Sequence, residues 1–310
     1  MNPFATALCA CFLGIFVAAA VEWLSSRERM LLQMPQLPRI RRLQRVAIIL
    51  IATIALVVSF SWASVDRHCL DTTEVRPSAF GIDWRLIYHA ALLSLLVAAT
   101  AIDFDCYMIP DAITVTGAVI GIGVACFIQE VQICHLWVDW AFAVPQLRGP
   151  LIPGWYVAHP FWHALALSVA GLVVGAGLTQ VSRVVSSFVL GVEAMGFGDV
   201  MLMAMIGSFL GWQAVTLVFM IAPLTGLTIG ILLRMLTGKP YLPYGPWLSI
   251  AAVIVMFGWS ELWLRTRLIF SDWMSLALLC VIGGVGFVFL LWLVRLYKSI
   301  PTRRSNPSEN

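Results

Sequence analysis

Residues 195–201 read Met195-Gly196-Phe197-Gly198-Asp199-Val200-Met201, a Gly-x-Gly-Asp placed where a polar segment gives way to an apolar run. Asp199 opens a predicted membrane helix, and an ionisable group in such a place points to function. The glycines at 196 and 198 remove side-chain bulk, so another backbone or a bound chain can come close. Asp at a helix start also has a plain capping role. The motif therefore needs a partner elsewhere in the chain before it means chemistry. That partner is sought at Asp103.

The surrounding chain has 310 residues, of which 61% are hydrophobic and 11% charged, and a mean hydropathy of +0.92. Soluble domains carry about 25% charged residues, so the composition predicts an all-α polytopic membrane protein. Seven cysteines, at 9, 11, 69, 106, 126, 134 and 280, show no C-x-x-C spacing. They read as small buried hydrophobes rather than metal ligands or redox pairs. His159 and His163 stand four apart, but with no third ligand evident and Pro160 between them they read as an interfacial pair. No metal and no other cofactor is expected. There is no repeat, P-loop, dinucleotide-binding glycine motif or nucleic-acid signature.

Apolar runs at 4–24, 46–64, 86–102, 111–129, 161–180, 200–212, 214–233, 246–259 and 274–294 predict nine transmembrane helices, most near the ~20 residues a bilayer demands. The first reads as a retained helix, because no Lys or Arg precedes it. With the N-terminus outside and the C-terminus cytoplasmic, the inward segments hold 13 of the 19 Lys and Arg. That bias sets the orientation. Asp103 and Asp199 then both fall at cytoplasmic helix ends. The arginines of 25–45 read as anchors to anionic lipid headgroups. Most tryptophans, among them Trp23, Trp62, Trp84, Trp212, Trp247, Trp259 and Trp273, sit near span ends and read as an aromatic belt. Three regions follow: N-terminal helices with a short Arg-rich cytoplasmic loop (1–86), a core (87–250) with an extracytoplasmic insertion at 130–160, and a C-terminal helix with a polar tail (251–310). The insertion is expected to lie along the outer interface.

The second motif is Ala101-Ile102-Asp103-Phe104-Asp105-Cys106-Tyr107-Met108-Ile109-Pro110-Asp111-Ala112-Ile113-Thr114. It ends one span and turns into the next through Pro110, which suits a first-turn position, beside Asp111, which suits a helix N-terminus. Asp105 lies past the helix end, where solvent or an arginine accounts for it. Asp103 closes the apolar run and is best placed to face the bundle.

Together these pieces resemble the prepilin peptidases, the bacterial type IV leader peptidases among the Gly-x-Gly-Asp membrane aspartyl proteases. Ala204 to Trp212 and Pro243-Tyr244-Gly245-Pro246 add to the likeness, as does Glu193-Ala194-Met195 before the glycines. The resemblance covers about 87–250. It implies that Asp103 and Asp199 are the catalytic pair. Gly196, Gly198, Pro110, Asp111, Pro243, Gly245 and Pro246 are expected to support the site or contact substrate. The chemistry fits: two close carboxylates cannot both ionise cheaply, so one takes a proton from water while the other polarises the scissile carbonyl. The implied substrates are type IV prepilins or pseudopilins, cut at the cytoplasmic face of the inner membrane.

Many members of that family carry a four-cysteine metal-binding segment after the first span and also methylate the new amino terminus. Here 25–45 has no cysteine, which argues against methyl transfer. Met201 stands where the family often has Lys. Two other readings share the carboxylates. A presenilin-like protease should show Pro-Ala-Leu, whereas this chain has Ala222-Pro223-Leu224. A transporter or proton channel should show two similar halves, which this chain lacks.

Overall fold

A computed structural model describes residues 3–140, 152, 154–192, 195–237 and 243–299. All nine apolar runs are helical. In chain order the helices are α1 (Pro3–Leu31), α2 (Arg39–Val65), α3 (Ala79–Cys106), α4 (Asp111–Phe127), α5 (Gly154–Ala158), α6 (Pro160–Leu190), α7 (Phe197–Leu210), α8 (Trp212–Thr237), α9 (Gly245–Phe257), α10 (Trp259–Phe270) and α11 (Trp273–Ser299). A 3-10 turn, Gln129–Val131, follows α4. Among the described residues there is no strand. Six helices (α1, α2, α3, α6, α8 and α11) are long and apolar enough to cross a membrane, and the protein is a multi-pass helical membrane protein. α9 and α10 are bent 91° from each other and could make a seventh crossing as a pair. α4 and α7 are apolar but only 17 and 14 residues long.

Local chemistry sets the helix ends that frame the site. Ser78 caps α3 by accepting the Gly81 N–H, the role for which Ser is favoured there. α3 stops at Tyr107, whose left-handed backbone (φ 54°) closes the last turn by donating to the Asp103 carbonyl. Pro110 then caps α4, leaving Asp111 as its first residue. α7 lies at the centre, against α4, α6, α8 and α9. Residues 202–210 are all buried, so α7 shows no polar face at all, as befits a helix surrounded by others. Pro223 sits within α8 without ending it.

Three expectations change. The segment 130–160 does not simply lie along a surface. Val131, Gln132, Ile133, Cys134, His135 and Val138 are buried, because donors from the helices reach its backbone. Trp259 Nε1 donates to Ile133 O, Gln213 Nε2 to His135 O and Trp212 Nε1 to Leu136 O. Residues 141–151 and 153 lie outside the described residues. Second, Trp247 and Trp259 are core residues rather than belt residues, while Trp23, Trp62 and Trp273 are exposed. Third, arginines of 25–45 are engaged within the protein: Arg42 pairs with Glu22 at 2.8 Å and Arg45 with Asp105 at 2.7 Å. The connection from α1 to α2 spans only residues 32–38. Residues 260–270, which follow the run 246–259, continue as helix α10. The polar tail lies outside the described residues from 300 onward.

Candidate active site

Helix ends from α1, α3, α4, α7 and α9 surround a cleft of about 650 Å³, within the size range of small-ligand sites. Its lining contains Asp103 and Asp199 together with Asp111, Pro110, Gly196, Gly198 and Pro243. Of the expected supporting residues, only Gly245 and Pro246 stand behind the lining, both buried at the start of α9. Glu193 and Ala194 lie outside the described residues.

The two aspartates reach the cleft from different helix polarities. Asp103 sits in the last turn of α3 and is 5% exposed; Asp199 sits in the first turn of α7 and is 7% exposed. Asp199 is the third helical residue after the Gly196 cap, and its carboxylate accepts the Gly196 N–H. This is the reciprocal half of a capping box, which fixes the side chain over the helix start. The capping role and the cleft position thus coexist in one residue. Asp103 Oδ2 is buried without a hydrogen-bond partner. The charge of Asp103 is felt at Asp199.

Close packing brings these ends together, and the two motif glycines do different things. A Cβ at Gly198 would sit 3.2 Å from Ile109 Cβ and 3.4 Å from its backbone nitrogen. The bare backbone at 198 therefore lets α7 dock on the turn that follows Asp103. At Gly196 a Cβ would meet nothing nearer than 3.8 Å. On the other side, a Cβ at Gly245 would come within 2.5 Å of Asp103 Oδ2 and 2.9 Å of Ile109 Cδ1. Ile109 is the wedge between both glycines. Arg183 of α6 donates from Nε to Met195 O at 3.1 Å, tying down the approach to α7.

Tyr244 lines the cleft beside these groups. Burial, and after it the Asp199 carboxylate, pushes its phenol up to about 12, so Tyr244 remains a hydrogen-bond donor at neutral pH. Asp105 points away from the cleft to Arg45 and Arg29, at 2.7 and 3.8 Å. The arginine explanation given by the sequence is the one found. Sequence reasoning missed Arg27 and Glu28, which α1 contributes to the lining. Nothing in a local pattern marks them, because only the docking of α1 places them there. The described residues contain no group of three or more His, Cys, Asp or Glu suited to a metal ion.

Fold and site thus define a multi-pass helical membrane protein with two buried carboxylates, from separate motifs, facing one cleft. Residues 90–231, which hold both motifs, match the type IV leader peptidase family. A prepilin leader peptidase/N-methyltransferase of Aeromonas salmonicida is 30% identical over 185 residues, covering 57% of this chain and 51% of the relative. The protein of the same name from Pectobacterium carotovorum is 30% identical over 169 residues, covering 53% and 49%. A third, from Pseudomonas putida, is 25% identical over 209 residues, covering 66% and 62%. The chain spans about half the length of the curated relatives it matches first. No solved structure matches it.

Proposed function

We propose that this chain is a membrane aspartyl endopeptidase that removes the leader peptide of type IV prepilins or pseudopilins. Asp103 and Asp199 are its catalytic pair, acting at the cytoplasmic face of the inner membrane. The observation that carries the reading is the meeting of two buried carboxylates, one with an unpartnered oxygen, in a cleft large enough for a peptide segment. Native proteins rarely keep such a group unless it has work to do.

The reaction needs one proton shared between the pair, because adjacent like charges in a desolvated site repel. The ionised carboxylate takes a proton from water, whose oxygen attacks the scissile carbonyl. The protonated carboxylate gives its proton to the carbonyl oxygen. Collapse of the tetrahedral intermediate returns a proton to the leaving amine and restores the pair. The Tyr244 hydroxyl and the backbone around Gly196 offer donors to the peptide.

The orientation we assign, with the N-terminus outside and the C-terminus inside, rests on the charge bias of the sequence, and under it both aspartates fall at cytoplasmic helix ends. The matched relatives are named for methyl transfer as well as cleavage. For this chain we assign cleavage alone, since the α1–α2 connection of seven residues, 32–38, contains no cysteine. The test is co-expression with a type IV prepilin, read by the mobility shift that accompanies leader loss. The wild type should process it; Asp103→Asn and Asp199→Asn should not. Full processing by either variant would overturn the assignment.

A further inference from the structure

The turn at 243–246 reaches both aspartates, and it lies beyond the segment that matches the peptidase family. Gly245 meets one of them. Its N–H reaches the Asp103 carboxylate, and a Cβ there would fall 2.5 Å from Asp103 Oδ2. Tyr244 meets the other. It lines the cleft, and the Asp199 carboxylate is near enough for its charge to be felt at the phenol. Two successive residues of one turn thus stand over the two halves of the reacting pair.

That turn is held from behind. The Tyr244 carbonyl accepts the Trp247 and Leu248 N–H groups at 3.0 and 3.4 Å, so Tyr244 caps α9. Pro246 is the second residue of that helix, and a proline narrows the backbone of the residue before it as well as its own. Trp247 is 4% exposed, and its carbonyl accepts the Thr225 hydroxyl of α8 at 3.1 Å. The phenol hydroxyl, by contrast, bonds to no described residue. Burial, and after it the Asp199 charge, keeps that phenol protonated at neutral pH. A donor on a fixed backbone, left unbonded beside a reacting carboxylate, is prepared for charge that appears only during reaction.

We propose that the Tyr244 hydroxyl is a third catalytic group, donating a hydrogen bond to the oxygen of the scissile carbonyl as its carbon becomes tetrahedral. The proton stays on the phenol; Asp103 and Asp199 alone exchange protons with water and substrate. This rests on the peptidase reading, so the test separates the two. Purified full-length wild type, Tyr244→Phe and Asp103→Asn are each given the same prepilin. The wild type should cleave it and Asp103→Asn should not. Tyr244→Phe keeps the ring and loses only an unbonded oxygen, so its melting temperature should match that of the wild type. Its kcat should fall about a hundredfold at nearly constant KM, as for one lost donor to a developing oxyanion. Wild type and Tyr244→Phe are then bound to two uncleavable prepilin peptides. One has a tetrahedral, hydroxyl-bearing carbon in place of the scissile carbonyl, and the other has a methylene there. Tyr244→Phe should bind the hydroxyl peptide at least about tenfold more weakly than the wild type does, and the methylene peptide equally well. An unchanged kcat, a rise in KM alone, or equal weakening on both peptides would overturn the role of Tyr244 while leaving the peptidase intact. A collapse of the melting temperature would also overturn it, by making the hydroxyl structural. No cleavage by the wild type would overturn the peptidase reading, and the Tyr244 assignment with it.

Discussion

At the end of the bundle away from the cleft, carboxylates are taken up by neighbours. Glu74 Oε1 accepts both Trp140 Nε1, at 2.8 Å, and Trp263 Nε1, at 2.9 Å. Glu130 Oε2 accepts the Ser78 N–H and Oγ–H at 2.8 and 2.6 Å, and Asp71 holds Arg85 and His68. At the cleft end, Asp103 Oδ2 is buried with no partner and Glu28 is unpaired. The same chemical group is used in two ways. A carboxylate that accepts indole or hydroxyl protons repays its desolvation and stabilises the fold. One buried in a cleft with an oxygen left unpartnered costs stability and stays available for reaction. Asp105 marks the boundary: two residues from Asp103, it faces arginines from α1 and α2 and belongs to the structural set.

The largest effects should come from breaking the cleft end. Asp103→Asn or Asp199→Asn should lower kcat for leader removal at least about a thousandfold, as expected when a proton-transfer pair is lost. Thermal unfolding in detergent should stay within a few degrees of wild type or rise, because removing a strained functional group often stabilises. A collapse of stability in both variants would mean that these carboxylates are structural like those of the far end.

The glycines come next. Gly245→Ala places a methyl 2.5 Å from Asp103 Oδ2, and a displacement of about 1 Å at a reacting group costs on the order of a hundredfold in rate. Gly198→Ala presses on Ile109 at 3.2 Å and should cost about tenfold. Gly196→Ala, with nothing nearer than 3.8 Å, should cost less than either. Measured kcat values in the order 245, 198, 196 would sharpen the geometry, and a larger loss at 196 than at 198 would contradict it.

Much of the cleft end was legible because its residues come in short local patterns. Asp103, Pro110 and Asp111 share one turn, and Gly196, Gly198 and Asp199 share another. The far end was not, because its bonds join distant segments. Trp263 and Glu74 stand 189 positions apart. The buried course of 131–138 depends on Trp212, Gln213 and Trp259 reaching its carbonyls, which no periodicity reveals. Glu28 was missed for the same reason, although it lies at the cleft end. The 91° bend between α9 and α10 was hidden because the apolar run 246–259 ends where α10 begins, at Trp259.

A moderate effect on the other side of the comparison should follow from Trp263→Phe. The ring is 4% exposed and packs on Trp259, so most of its packing survives while one donor to Glu74 is lost. Loss of one hydrogen bond to a carboxylate costs about 1.5–3 kcal/mol. The melting temperature should fall by several degrees, with kcat per folded enzyme retained. A fall in kcat at unchanged stability would show that the two ends are coupled.

The smallest effect belongs to Asp272, also far from the cleft, where α11 begins. Its Oδ2 accepts the Ser275 N–H at 2.8 Å and the Ser275 Oγ–H at 2.7 Å. These donors, the hydroxyl first, hold its carboxyl below the usual carboxylate range. The folded state thus favours the ionised form more than the unfolded chain does. Asp272 therefore contributes stability above the ordinary carboxylate pKa, and that contribution fades as pH falls through its lower folded value. Asp272→Ala should lower the melting temperature at neutral pH by less than Trp263→Phe does. Part of that gap, the part owed to charge, should close as pH falls below about 4. Cleavage should be untouched at every pH where the wild type works. A gap that widens on acidification would reverse the sign of this argument, and a loss of cleavage would remove α11 from the far-end set altogether.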